Sequence, residues 1–176
     1  DGAGLYLGFR DGVDRADVEG CLERGGALDA LMNFIPVSSG DAFVIDAGTA
    51  HAIGAGVTLV EPQYVAPRCR GLTYRFWDWN RRYDAQGRRD RAGQARDLHI
   101  ARSLAVTDWT RGTGERFVAS CRAEPVTLVD GPASRARIID WPWFQTERWQ
   151  GTGTLEVPPV GTMLAITAVA GEATIQ

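Results

Sequence analysis

Apolar positions along the chain change their period from segment to segment, and the changes mark out the elements. Between Asp14 and Arg24, Ala16, Val18, Cys21 and Leu22 recur at helical spacing behind an Asp14 N-cap candidate. Gly25-Gly26 stops the run, so a short helix is predicted there. Leu28, Leu31 and Met32 predict one or two further helical turns, ending before Pro36. The pattern then shifts to short β-type runs divided by glycine: Phe43–Ile45, Val57–Val60 and Thr73–Trp79. Asp84 to Gly93 is a polar, arginine-rich loop holding the turn sequence Asp84-Ala-Gln-Gly87. Helical spacing returns over Asp97–Val106 through Leu98, Ile100, Ala101, Leu104 and Ala105. Beyond Thr110 the strand pattern resumes at Val126–Val129, Arg137–Ile139, Phe144–Trp149, Leu155–Val157 and Met163–Val169. Many short strands with glycine turns predict a barrel or sandwich, in two β-rich blocks over 34–83 and 123–176.

Composition narrows the class. With 176 residues, 44% of them hydrophobic and 23% charged, the chain is an ordered globular protein of one domain or two small ones. Its net charge of -3 argues against nucleic acid or an anionic membrane as a general partner. All 19 basic residues are arginine, so chemistry that needs a lysine is excluded within this chain. Cys21, Cys69 and Cys121 are odd in number and form no CxxC pair, which predicts reduced thiols in a cytoplasmic protein. No apolar run reaches the roughly 18 residues of a membrane helix, and no signal peptide opens the chain. The chain begins at Asp1 without a methionine and stops after a predicted strand, turn and second strand (Met163–Ala170, Gly171–Gln176), so a fragment of a longer protein is expected.

The stretch Gly40 to Gln63 carries the candidate chemistry. Gly40-Asp41 makes a turn, Phe43 to Asp46 a strand, and Ala47-Gly48-Thr49 a second turn that presents His51. If Gly54-Ala55-Gly56 is a three-residue hairpin loop, His51 lies opposite Leu59, with Glu61 a diagonal neighbour on the same face. An imidazole and a carboxylate converging inside a barrel can bind zinc, and the plainer alternative is a hydrogen-bonded His–Glu pair. His99 is the only other histidine, so a full ligand set would need residues ahead of Asp1.

The spacing Gly-Asp-x-x-x-x-x-Ala-Gly-x-x-His over Gly40–His51 resembles the second cupin motif, with Ala47 where proline is usual. Glu61-Pro-Gln63, Thr73-Tyr-Arg-Phe-Trp-Asp-Trp-Asn-Arg81, Asp84-Ala-Gln-Gly87 and Arg96-Asp-Leu-His99 follow in order, and together they resemble type I phosphomannose isomerase, a bicupin zinc enzyme. Leu5-Tyr-Leu-Gly-Phe9 and the helix behind it resemble the end of that family's inserted helical region. The resemblance implies a mainly β, cupin-type (double-stranded β-helix) bicupin, present in part. Residues 1–33 would close the helical insertion, 34–110 would form the later part of the catalytic cupin plus a connecting helix, and 111–176 would start a second, truncated cupin. It further implies His51 as the last zinc ligand in chain order, Arg75 as the catalytic arginine and Glu61 as a carboxylate lining the substrate pocket. The family's remaining ligands, a Gln-x-His pair and a glutamate, and a substrate-handling lysine belong to an earlier segment that these residues do not contain. The implied activity of the parent protein is zinc-dependent interconversion of mannose 6-phosphate and fructose 6-phosphate, the parent a monomer and this piece alone inactive. The rivals are a non-catalytic sugar-binding cupin and a cupin of other metal chemistry, such as an oxygenase.

In an extended reading of Thr73–Trp79, Arg75 lies on the face opposite Tyr74 and Phe76. The alternative to catalysis is a guanidinium stacked on Trp77 or Trp79, or paired with Asp78. The tryptophans read as packing or a sugar platform, and His99 as a hydrogen-bonding residue. Arg81, Arg82, Arg88, Arg89, Arg91 and Arg96 read as a solvated loop balanced by Asp84, Asp90 and Asp97, or as an attractor of phosphate.

Overall fold

The computed structural model describes residues 3–154, 156–157, 159–161, 163–172 and 174. Its first sheet is built on β1 (Gly4–Phe9), flanked antiparallel by β2 (Met32–Pro36) and β3 (His51–Ile53) in the order β2-β1-β3. Leu7 and Phe9 on β1 are both buried, Leu7 with Ile35 and Phe9 with Met32, in separate apolar clusters on either side of Gly8. The stretch 1–33, expected to close a helical region, thus contributes the central strand of a sheet as well as a helix.

That helix, α1 (Arg15–Glu23), starts where predicted and for the predicted reason. The Asp14 carboxylate accepts from the Asp17 backbone N–H at 3.0 Å, and the Asp17 carboxylate accepts from the Asp14 N–H at 3.1 Å. Val18 and Cys21 face inward from it and join Phe9, Leu28, Met32 and Leu104 in one apolar cluster. Leu28–Leu31 forms a single 3-10 turn, as its spacing suggested. α2 (Ile100–Val106) starts three residues later than expected, and α3 (Gly114–Cys121) was not expected at all. The signal for α3 lay in Phe117, Val118 and Cys121, whose spacing puts them on one helix face; Phe117 and Cys121 are buried with Leu7 and Ile35 in a second cluster.

The second block is a three-stranded antiparallel sheet of β6 (Val126–Val129), β7 (Ala133–Asp140) and β8 (Gln145–Gly151), which extends the strands read from the sequence. Arg135 and Arg137 on β7 pair with Glu147 on β8 at 3.4 and 3.9 Å. Between the two sheets β4 (Arg82–Tyr83) and β5 (Gln94–Ala95) make a two-stranded ribbon around the predicted loop. Its Asp84 turn closes through Gly87 N–H to Asp84 C=O at 3.0 Å.

Some expected strands are not formed. Phe43–Ile45 makes only an isolated bridge, Phe43 to Arg122, extended by Val44 N–H to Cys121 C=O at 2.8 Å. Val57–Val60, Thr73–Trp79 and Met163–Val169 are in no strand. β-propensity reports fit to a pleated neighbour, and among the described residues these runs have no ladder partner. The strand expected over Leu155–Val157 includes Leu155, which lies outside the described residues, as do Ala173, Ile175 and Gln176 of the one expected after Gly171.

The expected cupin-type, mainly β fold is the fold of this chain. No helix among the described residues is long and apolar enough to cross a membrane.

Candidate active site

His51 opens β3, opposite Leu7 on β1. The turn before it is held from two sides. Thr49 N–H closes it on Asp46 C=O at 3.2 Å, and Asp108 N–H reaches Gly48 C=O at 3.0 Å. Gly48 has φ of 84, and a Cβ there would lie 3.0 Å from the Val106 carbonyl, so glycine is required. Arg111 then forks between two carboxylates, Asp46 at 2.9 Å and Asp108 at 3.1 Å. Burial works against the Arg111 charge, but the two carboxylates outweigh it and push its pKa up. The Thr110 hydroxyl and N–H, donating to Asp108 at 2.7 and 3.1 Å, together with Arg111, hold the Asp108 carboxyl below its ordinary range.

The His51 side chain is itself exposed, and its Nδ1 lies 2.9 Å from the Thr49 carbonyl. A carbonyl can only accept, so Nδ1 carries the proton and the Nε2 lone pair is left for a ligand. Carbonyl-oriented imidazoles of this kind are common among metal ligands.

The hairpin expected to bring Glu61 onto the face of His51 is not there. Gly56, with φ of 77, does form a turn, but β3 takes β1 as its partner and Val57–Val60 pairs with no strand. The competition is decided by burial: β1 carries Leu7 and Phe9 into the core, whereas Leu59 and Val60 stay exposed. Glu61 is exposed, and no hydrogen bond or ion pair joins it to His51 or Arg75 among the described residues.

Arg75 is half-buried on a segment that is not a strand. Neither alternative partner holds its guanidinium. Asp78, 6% exposed, is instead bound by Arg81, by Arg96 at 3.6 Å and by the Tyr83 hydroxyl at 3.3 Å. The arginine over Trp79 is Arg81, 5.1 Å from the ring centroid. Among the described residues the Arg75 guanidinium therefore makes no ion pair. Its backbone is fixed from both sides by His99, whose N–H donates to Arg75 C=O at 2.8 Å and whose Nδ1 accepts from Arg75 N–H at 3.4 Å.

The Asp78 hub was missed by sequence reasoning, which spread the arginines over a solvated loop. Its signal was Asp78 followed at three residues by Arg81, the only charge in an aromatic run apart from Arg75. The tryptophans divide their roles. Trp77 and Trp79 pack on each other at 5.1 Å, Trp109 stacks on Phe9 at 5.5 Å, and Trp143 stacks on Tyr64 at 4.8 Å.

The described residues do not complete a zinc site. No three His, Cys, Asp or Glu side chains converge among them, whereas a catalytic zinc takes three protein ligands. His51 fits the part of one ligand; the set does not close.

In fold, the chain is similar to the crystal structure of the mannose 6-phosphate isomerase from Bacillus subtilis, with a TM-score of 0.57 at 17% identity over 86% of this chain and 42% of that one. In sequence it is 31% identical over 150 residues to the mannose-6-phosphate isomerase of Streptococcus mutans, 85% of this chain and 42% of that protein. It is 26% identical over 151 residues to mannose-6-phosphate isomerase ManA of B. subtilis, again 42% of that protein. No family model matches the chain. The chain spans about two-fifths of the length of these curated relatives, and the matches cover about 85% of its own length.

Proposed function

We propose that the whole protein is an aldose–ketose isomerase acting on mannose 6-phosphate and fructose 6-phosphate. What carries the reading is the likeness to proteins named mannose-6-phosphate isomerase, over a stretch that includes the motifs around His51 and Arg75. Such a reaction moves a proton between C1 and C2 through an enediol, and negative charge develops on oxygen as the proton leaves. A guanidinium not already held in an ion pair is suited to meet that charge, and Arg75 makes none among the described residues. That matters, because a paired arginine would have to give up an ion pair to serve the substrate.

We assign zinc to the whole protein as its metal, with His51 contributing one ligand through Nε2. Glu61 is assigned to the wall of the substrate pocket. The domain division at residues 33 and 110 and a cytoplasmic, monomeric whole protein belong to the same proposal.

The test is Arg75→Ala in the full-length protein. Loss of one transition-state donor in a dry site lowers turnover by about 10²–10³-fold. Metal content and melting temperature should stay close to wild type, because Arg75 ties no carboxylate among the described residues. Near-normal turnover in folded Arg75→Ala protein overturns the catalytic role of Arg75, and no turnover in the wild-type full-length protein favours a sugar-binding module over an isomerase.

A further inference from the structure

The hydrogen bonds around Arg75 are unusual in their origin. A strand residue is fixed by the ladder of a neighbouring strand, but among the described residues Thr73–Trp79 has none. One residue replaces that ladder. His99 donates its backbone N–H to Arg75 C=O at 2.8 Å and accepts the Arg75 N–H on Nδ1 at 3.4 Å, so both peptide groups of Arg75 end on His99. The imidazole stands in for the carbonyl that a second strand would supply. An aromatic contact adds to the clamp, since the Tyr74 ring lies 5.9 Å from the His99 ring.

His99 in turn is anchored. It is the residue on which α2 begins, and its carbonyl accepts the Ser103 N–H at 2.8 Å. Its side chain does not cap that helix, because Nδ1 is committed to Arg75. One turn further on, Arg102 sits over the Tyr74 ring at 5.9 Å, and Leu104 fixes α2 in the core at 8% exposed. A rigid path thus runs from the apolar cluster through α2 and His99 to the backbone of Arg75.

We propose that His99 is the positioning residue for Arg75, setting the guanidinium by clamping its backbone rather than by touching substrate. The proposal rests on the catalytic reading of Arg75 given above. It requires the Nε2–H tautomer of His99, since only an unprotonated Nδ1 can accept from an amide N–H.

The experiment is a double-mutant cycle in the full-length protein, read as kcat and KM for mannose 6-phosphate. His99→Ala should lower kcat about 10–100-fold, the scale of a misplacement near 1 Å, with little change in KM. His99→Asn should recover most of the loss, because Oδ1 occupies nearly the place of Nδ1. His99→Gln keeps the bulk but moves the acceptor outward, so it should stay slow; this pair carries the test if His99→Ala does not fold. In an Arg75→Ala background His99→Ala should do nothing further to kcat. Equal losses in both backgrounds, or normal kcat in folded His99→Gln beside a slow Arg75→Ala, overturns the positioning role and leaves the Arg75 assignment standing. Normal kcat in Arg75→Ala removes both.

Discussion

Gly8 lies between two core residues, Leu7 at 0% and Phe9 at 7% exposed, and takes a left-handed backbone conformation within β1. Its φ is 62, and the β1–β2 register shifts between Tyr6 and Phe9, so the strand bulges there. A Cβ at Gly8 would run into the ring of Phe117, itself buried on α3. Gly8→Ala therefore meets two separate costs. Holding an alanine in the left-handed region costs about 1–2 kcal/mol. Forcing a methyl into a packed ring costs about 1–3 kcal/mol more. The sum is about 2–5 kcal/mol. The Gly8 N–H, bonded to the Ala50 carbonyl at 2.9 Å, ties the same place to the residue before His51, so its displacement also loosens β3. Thermal and urea unfolding of the full-length protein, followed by circular dichroism, measure the loss. Repeating Gly8→Ala in a Phe117→Leu background separates the two terms: with the ring gone only the backbone cost, about 1–2 kcal/mol, should remain. A loss below about 1 kcal/mol, or the same loss in both backgrounds, would refute this account of β1.

Two further outcomes follow from the side chains. Zinc titrated into the 176-residue chain under calorimetry should find no site tighter than about micromolar, since no three candidate ligands converge among the described residues; a stoichiometric nanomolar site would contradict the incomplete ligand set. Iodoacetamide at about pH 8 should label Cys69 first, because Cys69 is exposed, Cys21 and Cys121 are buried, and burial pushes the Cys121 thiol up and keeps it protonated. Mass spectrometry that finds Cys121 modified as fast as Cys69 in native protein would place α3 outside the core.

Elements whose stabilising contacts are local can be read from the residues alone. α1 begins at Asp14 because the Asp14–Asp17 capping box sits within four residues, and the Asp84 turn closes on Gly87 in the same way. β7 and β8 were legible because they are sequence neighbours joined by a short turn. Tertiary structure decided everything that depended on a distant partner. β3 could have folded back on Val57–Val60, but β1 arrives from 44 residues upstream in the Leu7–His51 pairing with core residues to bury, and His51 follows it away from Glu61. Thr73–Trp79 has every β-prone residue it needs and still lacks a strand, so Arg75 is set by His99, 24 residues along the chain. A His51 or an Arg75 can be proposed from a motif because residue type carries its chemistry. Which atoms surround it is settled by competition among chain segments for burial and ladder hydrogen bonds, and pattern within one segment does not record the outcome.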